Sequence, residues 1–253
     1  MTTVIVGAGN GIGRAVAVQL AESGRTVALL DRDSAALDET AARIEGHALT
    51  YTVDVREAEE VDAAITAVET QAGPVTALAH VAGILNTGSV LDSDISQWRE
   101  MFDVNVFGVL NVVRSVGRVM RERRSGAIVV VGSNAAGIPR MSMGAYGSSK
   151  AASTMLTRVL GLELAEYGIR ANIVAPGSTD TDMQRSLWAD PSDDRYAQPV
   201  VTGDLATYKT GIPLGRIASA EDIADAVEFL LSDRARHITM QSLYIDGGAT
   251  LRA

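Results

Sequence analysis

The chain has 253 residues, 47% of them hydrophobic, with a formal net charge of −9 and no cysteine. The charge argues against nucleic acid and anionic membrane as partners, and the missing thiols exclude disulfides, thiolate catalysis and cysteine metal sites. No stretch has the apolar length that a bilayer span needs, and the first residues read as a core strand rather than a signal peptide, so a cytoplasmic protein of one domain, residues 1–253, is expected.

Thr2 to Val6 reads as a short buried strand that runs into Gly7-Ala8-Gly9-Asn10-Gly11-Ile12-Gly13, after which Arg14 to Ser23 has helical periodicity. Glycines in such a turn permit positive φ and let the backbone approach a pyrophosphate, which then rests on the positive end of the helix dipole. A glycine pattern alone is weak evidence; between a strand and a helix it has the context the chemistry demands. A second strand, Thr26 to Leu30, ends in Asp31, eighteen residues after Gly13. A carboxylate there can accept both ribose hydroxyls of an adenosine and repels a 2′-phosphate, so NAD is expected over NADP. Arg32 reads either as a phosphate partner or as a solvated loop charge.

Helices are predicted over Ser34 to Glu45 and Glu57 to Ala72, alternating with strands over Ala48 to Val53 and Thr76 to His80. Asp94 followed by Gln97 is a capping pair opening a helix over Ile95 to Arg121. Arg118, Arg121, Arg123 and Arg124 crowd its end and read as cations complementing the dipole. The apolar run Ala127 to Gly132 then leads to Ser133, and a loop, Asn134 to Met143, precedes a helix over Tyr146 to Glu166. Tyr146 and Lys150, four residues apart, put a phenol and an ammonium on one helix face. A free tyrosine ionises near pH 10, about three units too high for neutral pH, and a nearby cation closes much of that gap. The pair can therefore make a base, with Ser133 holding a substrate oxygen beside it. Taken alone, a surface Tyr-Lys pair is the commoner meaning of such a spacing.

Strands over Ile169 to Ala175 and Ser242 to Ile245 and a helix over Ala220 to Leu231 complete the alternation. It predicts an α/β fold, a single doubly wound parallel sheet with helices on both faces. Asp182 to Ile217 breaks the pattern, with prolines at 191 and 199 and poor periodicity, and so long an insertion near an active site predicts a lid at about 182–217. In the loop between Ser133 and Tyr146, Arg140 can grip a carboxylate in a bidentate manner while Met141 and Met143 pack against a ring. The alternative for Arg140 is a solvated rim charge. His80 reads as packed beside the adenine pocket, and His47 and His237 have no metal-ligand spacing around them, so no metal is expected.

Gly7-xxx-Gly11-x-Gly13, Asp54-Val55, Ala82-Gly83, Asn105, Ser133, Tyr146-xxx-Lys150, Pro176-Gly177 and Asp246-Gly247-Gly248 fall in the order and spacing of the short-chain dehydrogenase/reductases, which the chain resembles over essentially its whole length. The resemblance implies a Rossmann-like fold. It implies Tyr146 as general base, Lys150 as its pKa-lowering partner and ribose ligand, Ser133 as hydrogen-bond partner of the substrate hydroxyl, and Asn105 as anchor of a proton-relay water. The cofactor contacts it implies are Gly7, Gly9, Gly11, Ile12, Gly13, Asp31, Asp54, Val55, Ala82, Gly83, Tyr146, Lys150, Pro176, Gly177, Thr179 and Thr181. Two positions depart from the family pattern: Val6 stands for a common threonine and His80-Val81 for an Asn-Asn pair, changes that bear on local rigidity more than on chemistry. Relatives assemble as tetramers through the long helices, which implies a homotetramer, with the small residues Gly108, Ala151, Ala152 and Gly161 letting helices approach.

Pro139-Arg140-x-x-Met143-x-Ala145-Tyr146-Gly147, Pro176 to Trp188, Gly211 to Ala218 and His237 to Gln241 closely resemble one branch of that family, the 2,3-dihydro-2,3-dihydroxybenzoate dehydrogenases of catecholate siderophore biosynthesis. This likeness implies NAD-dependent oxidation of a small aryl-acid precursor at its C3 hydroxyl to 2,3-dihydroxybenzoate, with Arg140 on the carboxylate. Gln184 and Trp188 of the lid are weaker candidates for ring contacts. A substrate with an amine in place of the C2 hydroxyl, oxidised to 3-hydroxyanthranilate, is the closest rival. A 3-oxoacyl-carrier-protein reductase, its carrier docked by Arg121, Arg123 and Arg124, is more distant, and Asp31 argues against it. A non-catalytic NAD-binding regulator is the reading from another class.

Overall fold

Among the described residues of this computed structural model, 2–46 and 48–251, seven strands form one parallel sheet. They are β1 (Thr2–Val6), β2 (Thr26–Asp31), β3 (Ala48–Thr52), β4 (Val75–His80), β5 (Gly126–Val131), β6 (Ile169–Pro176) and β7 (Ser242–Ile245), in the order β3-β2-β1-β4-β5-β6-β7. The five inner strands are short and mostly apolar because both faces of the sheet are covered there, and side chains alternate between two cores. Val4, Val6 and Leu30 point into one, with Val61, Val112 and Met120; Ile5 and Leu29 point into the other, with Leu20, Val227 and Leu230.

Helices α1 (Gly11–Glu22), α2 (Ser34–Ala41) and α3 (Ala58–Gln71) connect the first four strands. The helix predicted over Ser34 to Glu45 stops at Ala41 because its last turn tightens, with Arg43 and Ile44 N–H bonding Thr40 and Ala41 O. The helix predicted over Ile95 to Arg121 is divided: α4 (Ile95–Phe102), a π-helical turn over Asp103–Gly108, and α5 (Val109–Arg123). Within that turn Asn105 points inward and Gly108 approaches Val55 so closely that a Cβ would stand 2.6 Å from a Val55 methyl. Asp94 caps α4 by accepting from Ser96 N–H at 2.8 Å, whereas the reciprocal capping box lies at Ser219 and Asp222. Arg123 pairs with Glu69 at 2.7 Å, Arg124 stacks on Tyr167 at 5.2 Å and donates to Glu166 O, and Arg118 stands 4.0 Å from Asp62.

Helix α6 (Gly144–Leu164) follows β5, and the segment after β6 holds two short α-helices, α7 (Asp182–Arg185) and α8 (Ala197–Thr202), and 3-10 turns at Asp194–Tyr196 and Leu205–Thr207, before α9 (Ala220–Leu231) packs against α1. The chain order turns back between β1 and β4, so the loops at their carboxyl ends diverge and leave a crevice. His47 lies outside the described residues. None of the described helices is long and apolar enough to cross a membrane.

Candidate active site

The crevice is a cavity of about 390 Å³ that reaches from Asp31 to Lys209 and has Ser133, Tyr146 and Lys150 in its wall. Its floor is the glycine turn. Gly7 has φ +83°, and a Cβ there would stand 2.5 Å from Ala82 N; a Cβ on Gly13 would fall 1.8 Å from Gly7 O. No side chain fits either position. Asn10 makes no side-chain cap on α1, so the first N–H groups of that helix stay free toward the cavity wall of Gly11, Ile12 and Gly13. Free N–H groups at the positive end of a twelve-residue helix suit a pyrophosphate.

Gly9 sits differently. It does not line the cavity; its N–H donates to Asp31 Oδ2 at 2.9 Å, while Asp33 N–H donates to Oδ1 at 3.1 Å, and together they fix the carboxylate in the cavity wall. Arg14 is withheld, donating to Gly9 O at 2.7 Å and Thr40 Oγ1 at 3.1 Å and pairing with Glu39 at 3.0 Å. Asp54, Val55, Ala82, Gly83, Pro176, Gly177, Thr179 and Thr181 also line the cavity, as does Arg32. A hydrogen bond from the Arg56 side chain holds the Asp54 carboxyl below its usual range. These groups fit a nicotinamide dinucleotide along its length.

Tyr146 lies in the first turn of α6 and Lys150 one turn on, 5% exposed, its Nζ 5.9 Å from the centre of the phenol ring and donating to Val131 O at 3.2 Å. Ser133 lines the cavity with Tyr146, and its Oγ accepts from Ala135 N–H at 3.1 Å. Burial pushes the phenol above its ordinary range and pushes the Lys150 ammonium down to about 8. Desolvation is the larger influence on both groups, and the Ser133 side chain opposes it at the phenol.

Asn105 is fully buried behind the cavity wall rather than in it. Its Oδ1 accepts from Ile84 N–H at 2.9 Å, and its Nδ2 donates to Ile84 O and to Ser149 Oγ, both at 3.0 Å. Ser149 Oγ in turn donates to Tyr146 O at 2.8 Å. The π turn thus braces the helix that carries Tyr146, through a serine that sequence reasoning passed over although it directly precedes Lys150. His80 is a packed residue, as expected: it is 0% exposed, neither ring nitrogen is hydrogen-bonded, and it shares the sheet face of Leu78. Its pKa is pushed down to about 3 by burial and by the facing charge of Lys150.

Of the proposed substrate residues, Arg140, Met143 and Gln184 line the cavity and Met141 and Trp188 do not. Met141 is 55% exposed on the loop's outer side. Trp188 is 9% exposed, and its ring lies under the Arg185 guanidinium at 4.9 Å; Arg185 is held in turn by Asp180 and Asp194. The indole packs the insertion together, and Met183 and Leu187 face the cavity instead. Lys209 also lines it, one of only two lysines in the chain, inside the insertion where periodicity offered no guide.

A family model described as enoyl-(acyl carrier protein) reductase matches residues 7–250. The chain is 50% identical over 250 residues to a 2,3-dihydro-2,3-dihydroxybenzoate dehydrogenase of Bacillus subtilis (strain 168), covering 98% of this chain and 95% of the relative. It is 43% identical over 253 residues to the vibriobactin-specific 2,3-dihydro-2,3-dihydroxybenzoate dehydrogenase of Vibrio cholerae serotype O1, covering 98% and 95%. Among solved structures, levodione reductase superposes with a TM-score of 0.92 at 29% identity, over 100% of this chain and 98% of that one.

Proposed function

The chain belongs to the short-chain dehydrogenase/reductase family, and from that premise we propose that it is the NAD-dependent enzyme that oxidises 2,3-dihydro-2,3-dihydroxybenzoate to 2,3-dihydroxybenzoate for siderophore synthesis. The observation that carries the reading is one cavity lined by Ser133, Tyr146, Lys150 and Arg140, with the Lys150 ammonium 5.9 Å from the centre of the phenol ring. The dinucleotide would be held by Gly7, Gly11, Ile12, Gly13, Asp31, Asp54, Ala82 and Thr181, and its oxidised nicotinamide would supply the hydride acceptor. Ser133 holds the substrate's C3 hydroxyl, and Tyr146 takes its proton as the C3 hydrogen leaves with its electron pair. Lys150 places a cation behind the phenolate and holds the ribose; Asn105 braces the helix and anchors the relay. The ketone so formed tautomerises to the aromatic ring, which makes the step effectively irreversible. Residues 182–217 act as the lid.

The test is turnover of the synthetic diol acid with NAD⁺, followed by identification of the product. Appearance of 2,3-dihydroxybenzoate is expected; preference for the amino analogue giving 3-hydroxyanthranilate would reassign the substrate. NAD⁺ should exceed NADP⁺ in kcat/KM by about two orders of magnitude or more, because a 2′-phosphate would meet the fixed Asp31 carboxylate while Arg14 is already engaged. Comparable values for the two cofactors would point to Arg32 as a phosphate ligand.

We also infer a cytoplasmic homotetramer. Met155, Val159 and Leu162 make an exposed apolar stripe along α6, 45–66% exposed, and Phe107 is 53% exposed on the neighbouring π turn. Gly108 and Gly161 do not serve that surface, since they pack inward on Val55 and on Met240 and Ala171. Light scattering at micromolar concentration should give four times the chain mass, and a monomer would refute the assembly.

A further inference from the structure

We propose that Lys209 is a second cationic contact for the substrate's carboxylate, acting together with Arg140 from a separate segment of the cavity wall. This rests on the aryl-acid reading above and names the group that completes it. Arg140 follows β5, and Lys209 lies in the insertion after β6, which is tied to the segment after β7 by Thr210 Oγ1 on Ala249 O and Leu214 N–H on Gly247 O, each at 3.1 Å. Both cations therefore belong to the β5–β7 half of the cavity, while Asp31 and Asp54 follow β2 and β3 in the other half. The substrate half is biased toward anions even though the chain as a whole carries −9.

Lys209 stands on a rigid mount. Asp204 N–H donates to Lys209 O at 3.0 Å and Lys209 N–H to Asp204 O at 2.9 Å, and Ile212 N–H bonds Val201 O at 2.8 Å. Gly203 and Gly211 take φ +84° and +82°, and a Cβ on either would lie 2.5 Å from a backbone oxygen of the facing segment, Lys209 O or Val201 O. Only glycine allows the two segments to approach this closely. The backbone that presents the lysine to the cavity is thus held on both sides.

The ammonium forms no ion pair among the described residues, although its charge acts on the nearby Asp204 carboxylate. Asp204, the nearest acid on its own turn, spends its carboxylate on Ala206 N–H at 3.0 Å and Thr207 Oγ1 at 2.7 Å. Among the described residues neither Lys209 nor Arg140 enters an ion pair, whereas Arg14, Arg56, Arg123, Arg185, Arg195 and Arg216 all do. Asp182 also borders the cavity and opposes an anion there, one carboxylate against the two cations of this half. A planar carboxylate suits the pair: the guanidinium fork engages two oxygens in its plane, and the ammonium supplies a point charge from the side. Because Lys209 belongs to the insertion, the same carboxylate would draw the insertion over the reacting carbon.

Calorimetric binding of 2,3-dihydroxybenzoate and of catechol, which lacks the carboxylate, tests this on the full chain with saturating NAD⁺, in parent, Lys209→Met, Lys209→Arg and Arg140→Ala. Lys209→Met should weaken the acid about tenfold or more, leave catechol within about twofold, and raise KM for the diol acid with kcat little changed. Lys209→Arg should keep most of the affinity. Unchanged acid binding in Lys209→Met, or equal losses for acid and catechol, would overturn the proposal. So would a loss of NAD⁺ affinity, which would assign the lysine to the pyrophosphate. A parent that binds the acid through both cations but does not oxidise the diol would leave this contact standing and bring down the proposed reaction instead. A parent indifferent to the carboxylate would overturn both.

Discussion

Tyr146→Phe should lower kcat about 10³-fold or more while NAD⁺ affinity stays within about threefold. The phenol is the sole ionisable hydroxyl in the wall beside Ser133, and removing one oxygen from a half-buried ring leaves the packing of α6 in place. Burial holds the Tyr146 pKa above its ordinary range, so at neutral pH the phenolate is a minor species and the rate should climb with pH until the group ionises. The phenylalanine variant should lose that climb as well as the rate. Steady-state kinetics from pH 6 to 10 with a fluorescence titration of NAD⁺ would show both; near-parent turnover in Tyr146→Phe would mean that another group takes the proton. A Ser149→Ala enzyme makes a useful contrast, because loosening the brace from Asn105 should slow turnover without changing which group titrates.

What could be read from the sequence followed the range of the interactions involved. Tyr146 and Lys150 are joined by one helical turn, and the glycine turn by its neighbouring strand and helix, so local spacing proposed them and the order of motifs along the whole chain gave them their roles. The five inner strands were legible because burial on both faces leaves largely apolar runs. The π turn was not, since it depends on Asn105 meeting Ile84 and Gly108 meeting Val55, partners 21 and 53 residues away. Trp188 was misplaced for a similar reason: a large ring in a lid suggests a substrate contact until Arg185, anchored by Asp180 and Asp194, is seen stacked on it. Lys209 escaped because a turn held by two glycines has no periodicity to reveal it.

Lys150→Met should nearly abolish turnover and at the same time stabilise the fold at neutral pH. The native lysine is 5% exposed, keeps one hydrogen bond, to Val131 O at 3.2 Å, and has its pKa pushed by burial from 10.5 to about 8. The unfolded chain holds this proton up to about pH 10.5 and the native protein releases it near 8, so between those values the unfolded state binds more protons. Stability contributed by this group therefore rises with pH across that window, and below pH 8 the native state carries the full burden of a buried ammonium, about 3 kcal/mol. A methionine of similar length removes the charge and forfeits the Val131 hydrogen bond, worth about 1 kcal/mol, which leaves a net gain on the order of 2 kcal/mol at pH 7. In a protein of this size that is a rise of several degrees in Tm. Thermal unfolding of parent and variant without cofactor, at pH 7 and at pH 10, should show the gain at pH 7 and its disappearance at pH 10. A variant less stable than the parent at pH 7 would mean that the ammonium is solvated or paired in the native state, and the position would then hold its lysine without cost. The expected outcome instead describes a lysine kept for catalysis against the stability of the fold around it.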